Sequence, residues 1–120
     1  MKTQTLTQNE TTKQNNTKKL NGFKQMLQDY SSQVEHYNND SPYTNGNLKA
    51  VYFAIDLINI SLGFGTFYKQ TFIDQLEDMK KYQEKLLLSA FNNHEIKREL
   101  EGYINGIETV IRFANLLYND

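Results

Sequence analysis

The sequence predicts an all-α protein, an antiparallel four-helix bundle or close variant with a flexible N-terminal arm. Three observations carry that expectation. Apolar residues recur in helical register in four separate stretches, three of them at alternating three- and four-residue steps, the repeat of one face of an α-helix. Clusters of turn-forming residues divide those stretches, and the chain's one proline lies in the first of them. The opening 19 residues, by contrast, have Met1 and Leu6 as their only apolar side chains. A segment so polar buries too little surface to offset the entropy of ordering it. The expected organisation is an arm over 1–19 and a helical bundle domain over 20–120.

In the first helical stretch, expected over 20–38, Leu20, Phe23, Leu27, Tyr30, Val34 and Tyr37 keep one face apolar. Asn38-Asn39-Asp40-Ser41-Pro42 ends it, and Asn45 or Asn47 is the expected cap of the second helix, over 47–62. There Leu48, Val51, Ile55, Ile58 and Leu62 form the stripe, while Phe53, Ala54, Leu57 and Ile60 make the other faces apolar too. A helix so apolar belongs in the middle of the molecule or beneath a partner. Tyr52, Asp56 and Asn59 interrupt it, either as a solvated edge or as a place where Asp56 meets a cation or ligand.

Gly63-Phe64-Gly65-Thr66 forms the next break, with Gly63 suited to a left-handed helix end and Thr66 to a helix start. Phe67, Phe72, Leu76, Met79, Leu86 and Ala90 mark the third helix, over 67–91, in which Glu77 and Lys81 stand one turn apart. Asn92 with Glu95 suggests a capped start to the fourth helix, over 93–118. Its stripe is the most regular: Ile96, Leu100, Tyr103, Ile107, Val110, Ala114 and Leu117. Short connections between four such helices imply antiparallel neighbours.

Gly102 and Gly106 stand one turn apart on the fourth helix, where each costs about 1 kcal/mol relative to alanine. Close packing against another helix, or a dimer contact, is the expected compensation. A homodimer is therefore among the expected assemblies.

Several chemistries are poorly supplied. The chain has no cysteine, which excludes disulfides, thiolate metal sites and a cysteine nucleophile. His36 and His94 belong to no His-Glu-x-x-His or Glu-x-x-His pattern. The Gly63-Phe64-Gly65 turn lacks the Lys-Ser/Thr of a phosphate loop. The reading is of a protein without enzyme activity, cofactor or metal.

Charge divides along the chain. The formal net charge is −1, yet residues 1–24 hold five lysines against Glu10, a local +4, and residues 25–120 carry −5. A basic arm bearing Lys13, Lys18 and Lys19 suits an acidic partner. Eight tyrosines add contact area at little entropic cost, and Tyr43, Phe64 and Tyr68 lie near turns where partners reach them. These six residues are the expected partner-binding set.

No run approaches the roughly 18 apolar residues of a membrane span, and no apolar segment of an export signal follows Lys2. The expected location is therefore the cytoplasm, and the expected host a bacterium, because Asn, Lys and Ile outweigh Ala, Arg and Pro as in A+T-rich genomes. The functional expectation is a small binding protein, carried by a phage or plasmid, that inhibits a host defence protein by covering its surface. An anti-CRISPR protein is one such type. The alternatives are a nucleic-acid-binding accessory protein that uses the lysines of the arm, and a helical bundle of the bacteriocin-immunity kind.

Overall fold

The structure, a computed structural model, describes residues 2–37, 41–90 and 92–119, with side chains described from Asn16 onward. It is all-helical: α1 (Lys2–Tyr37), α2 (Pro42–Phe64), α3 (Lys69–Ser89) and α4 (His94–Leu117), with no strand among the described residues.

The helix α1 begins far upstream of residue 20, where the apolar stripe starts. No proline lies in 2–19 to stop it, and extending an existing helix costs far less than starting one. Helical backbone and tertiary packing are separate properties. Leu20 is the first buried side chain among those described. Removing residues 1–17 is therefore expected to move the melting temperature by less than about 4 °C, the equivalent of a surface change worth about 0.5 kcal/mol. A larger fall in a thermal melt would show that this segment is packed onto the other helices.

Helix α2 also starts earlier than Asn45 or Asn47. Ser41 is its cap: the Ser41 Oγ accepts from the Thr44 N–H at 3.1 Å and donates to Thr44 Oγ1 at 2.8 Å. Pro42 takes the first helical position, where its missing N–H is no loss. The preceding turn residues Asn38, Asn39 and Asp40 lie outside the described residues. At the other end Gly65, not Gly63, adopts the left-handed conformation, with φ 74°. The Gly65 N–H reaches the Leu62 carbonyl and the Thr66 N–H that of Ser61, the paired bonds of a Schellman ending. Thr66 is thereby used in closing α2, and the cap position of α3 falls to Tyr68, which makes no side-chain cap bond. Asn93, rather than Asn92, caps α4 by accepting from the Ile96 N–H at 3.1 Å.

The buried core draws on all four helices: Leu20, Phe23 and Leu27 from α1, Ala50, Val51, Ala54 and Ile58 from α2, Phe72 and Leu76 from α3, and Ile107, Val110 and Ala114 from α4. Helices α2 and α4 share the most extensive contact. A Cβ built on Gly46 would lie 1.9 Å from the Glu99 carbonyl oxygen, and one on Gly102 would lie 1.9 Å from that of Tyr43. At Gly106 it would meet the Ala50 Cβ at 2.7 Å and the Asn47 carbonyl oxygen at 2.8 Å. Three glycines thus let two backbones touch.

The same interface holds a chain of hydrogen bonds. The Tyr30 hydroxyl donates to Asn47 Oδ1 at 3.1 Å, and Asn47 Nδ2 donates to Asn105 Oδ1 at 3.1 Å. Asn47 is buried, so its two bonds offset the cost of taking an amide out of water. The bonds also set the register of α1 and α4 on α2. At the opposite end four rings close the core. Phe23 meets Phe72 edge-on at 5.7 Å and Tyr118 at 6.1 Å, while Phe67 meets the same two rings at 5.4 and 5.0 Å.

Candidate functional site

The end of the molecule closed by those four rings carries the strongest candidate surface. The Schellman ending reverses the chain at Gly65 and leaves Phe64, the last residue of α2, pointing away from the core. Phe64 is 79% exposed, Tyr68 68% and Ile60 56%. Ile60 and Phe64 stand one helical turn apart, so they share a face. Together with Leu57 and Tyr68 they line an open groove of about 200 Å³ between the C-terminal end of α2 and the start of α3. Large apolar side chains left in water at adjoining positions mark an interaction surface more specifically than the same residues scattered.

Tyr68 also borders a second cleft, of about 540 Å³, whose walls include Lys19, Phe67, Lys69 and Tyr118. Lys19 Nζ lies 4.4 Å from the centroid of the Tyr118 ring, a cation–π contact. Lys69 donates to the Tyr118 main-chain carbonyl, just beyond the end of α4. Neither lysine has a carboxylate within ion-pair distance among the described residues. Lys18, one residue away, is exposed.

Of the residues singled out from the sequence, Phe64, Tyr68, Lys18 and Lys19 come to this end of the molecule. Tyr43 does not. It sits in the first turn of α2, half-buried, with its carbonyl against Gly102 and the Arg98 guanidinium 4.8 Å from its ring. The side chain of Lys13 lies outside the described side chains. Gly102 and Gly106 are buried against α2 in the same chain. Lys69, Tyr118 and Ile60 join Phe64, Tyr68, Lys18 and Lys19 without a sequence signal for it. Lys69 and Tyr118 are 49 residues apart, and no spacing rule joins them. The sequence shows Ile60 as part of the apolar remainder of α2 but not that it is exposed.

The polar strip on α2 is exposed at Asp56 and Asn59, and Tyr52 donates its hydroxyl to Glu35 of α1. The hydrogen bond to Glu35, aided by partial burial and by the carboxylate's charge, raises the Tyr52 pKa above the ordinary 10.0. Burial raises those of Tyr103 and Tyr118 as well. The Tyr118 hydroxyl is also buried, with no hydrogen-bond partner among the described residues.

A phenol whose pKa is raised by folding binds its proton more tightly folded than unfolded. Its contribution to stability is full below pH 10 and disappears as pH climbs through the folded value. Urea midpoints are therefore expected to hold steady toward pH 10 and fall above it. The Tyr103→Phe/Tyr118→Phe double variant should flatten that fall. An unchanged alkaline slope in the variant would show that these two phenols titrate alike in both states.

Among the described residues no three His, Asp or Glu side chains gather as a metal-binding set, and no helix is long and apolar enough to cross a membrane. His94 is exposed in the first turn of α4, and His36 packs its ring edge-on against Tyr37. Compared with protein-family models, curated proteins and solved structures, the chain matches none.

Proposed function

We propose that the chain is a non-enzymatic binding protein that acts by covering a surface of another protein, one molecule to one site. The observation that carries this reading is the exposed apolar face of Ile60, Phe64 and Tyr68, held in place by a helix ending that turns Phe64 outward. Aromatic side chains at the centre of such a face supply most of an interface's affinity. The lysines beside them speed approach to an acidic partner more than they prolong the bound state.

The proposal extends to the setting: a phage- or plasmid-borne inhibitor of a defence protein, as an anti-CRISPR protein is, working in the bacterial cytoplasm. The composition, skewed to residues with A+T-rich codons, supports this setting. An up-and-down antiparallel bundle with a flexible arm belongs to the same reading. The antiparallel part is supported by the opposed course of α3 and α4: Lys69 of α3 meets Tyr118 beyond the end of α4, while Lys80 further along α3 meets Glu108 earlier in α4.

The test is a titration. A partner is captured from nuclease-treated host lysate, purified, and its activity measured against rising amounts of the chain. Inhibition that saturates at a fixed molar ratio and is relieved by excess partner is the expected result. Phe64→Ala with Tyr68→Ala should weaken it at least tenfold, a loss of about 1.4 kcal/mol. Inactivation by sub-stoichiometric amounts, with a covalently altered partner, would overturn the proposal.

A further inference from the structure

We propose that the lysine-walled cleft and the apolar groove form one recognition site for an acidic segment of a partner protein, a carboxylate flanking an aromatic or aliphatic side chain. The inference rests on the protein-binding reading above and deepens it by stating the chemistry of what is bound.

Tyr68 is the wall common to both depressions. The groove is lined by Ile60 and Phe64, which offer an apolar side chain a place out of water. The cleft is lined by Lys19 and Lys69. Lys69 spends one of its three N–H donors on the Tyr118 carbonyl and keeps two. Lys19 is held over the Tyr118 ring, a contact that orients the ammonium without neutralising it. Both cations meet the same residue, so their positive charge is concentrated in one cleft.

The α3 N-terminus adds to it. Tyr68 makes no side-chain cap bond there, and the dipole of α3 puts partial positive charge at Lys69. A carboxylate at this position has two ammonium groups and a helix end to face, and an apolar neighbour on the same segment reaches the groove. The charge complementarity is therefore specific to an anion beside a hydrophobe.

Nucleic acid answers this description less well. A polynucleotide is a line of charge that must continue past the cleft, and residues 25–120 carry a net −5. Gln70, which also lines the cleft, donates its side-chain amide to Asp74 Oδ1 at 2.8 Å, so a carboxylate stands next to the positive region. A short acidic segment fits the small positive cleft without meeting that field.

The experiment uses the isotope-labelled full chain and amide NMR spectra. The probes are acetyl-Glu-Glu-Phe-Glu-Glu-amide, its analogue with every Glu replaced by Gln, and a short oligothymidylate. The Glu peptide is expected to shift the amides of residues 67–70 and 118–119 and to bind about fivefold more tightly than the Gln peptide, the range of a solvent-accessible charge pair. Added salt should erase that preference. Lys19→Gln, at an exposed position, should reduce it, and Lys19→Gln with Lys69→Gln should abolish it. Phe64→Ala should weaken both peptides alike.

Equal affinity for the Glu and Gln peptides, shifts confined to another face, or no binding of either peptide would overturn the inference. So would oligothymidylate that binds the cleft more tightly than the Glu peptide. Stoichiometric inhibition of a captured partner that depends on Phe64 and Tyr68 but is unmoved by the two lysine substitutions would leave the protein-binding reading standing while this inference falls.

Discussion

Gly102→Ala is expected to destabilise the protein by about 2 kcal/mol or more, although alanine is the better helix former by about 1 kcal/mol. The new Cβ would stand 1.9 Å from the Tyr43 carbonyl oxygen and 2.7 Å from its carbon. Those are backbone atoms of another helix, with no rotamer through which to retreat. Only a displacement of α2 relieves the clash, and it would open the contact along Ala50 and Gly106 and strain the bond between Asn47 and Asn105. Gly46→Ala faces the same obstacle from the other side, against Glu99.

Gly22 supplies the comparison. It lies exposed within α1 with nothing within 4 Å of a built Cβ, so Gly22→Ala should stabilise by up to about 1 kcal/mol. One substitution type with opposite signs at two positions separates steric contact from helix propensity. Urea denaturation of the two variants measures both. Wild-type stability in Gly102→Ala would mean that α2 and α4 do not touch as described.

The glycines show how far the sequence was legible. Gly102 and Gly106 stood out because their neighbours followed the most regular helical stripe in the chain. Gly46 completes the contact, yet a helix start at Asn45 or Asn47 leaves it at or before the first turn, where a glycine is unremarkable. Read instead as a cap, Ser41 with Pro42 moves the start of α2 upstream and puts Gly46 inside a helix, where a costly glycine asks for an explanation. The four stripes themselves were recoverable because burial imposes their period.

The ends were not, since Asn92 and Asn93, or Gly63 and Gly65, offer the same local chemistry one or two residues apart. The choice between them is made by which backbone groups need partners once the helices pack. For the candidate site, exposure was the missing quantity. Phe64 and Tyr68 were visible as residues near a turn, whereas Lys69, Tyr118 and Ile60 join them only through tertiary contact.

Two phenylalanines at this end of the molecule should separate stability from binding. Phe23→Ala is expected to cost about 3–5 kcal/mol, the range for emptying a fully buried aromatic site. Phe23 has no exposed surface and meets both Phe72 and Tyr118, so its loss leaves a void shared by α1, α3 and the residues after α4. The melting temperature should fall by well over 10 °C, given about 4–8 °C per kcal/mol in a small domain.

Phe64→Ala removes a ring of the same size from a place where water already covers most of it, and its stability should stay within about 0.5 kcal/mol of the parent. Its effect belongs to the interface, where partner binding should weaken at least tenfold. Thermal melts and partner titrations on the same two variants decide the matter. A Phe64→Ala protein that melts as low as Phe23→Ala would show that Phe64 is packed within the protein. If it binds its partner as the parent does, the docking face lies elsewhere.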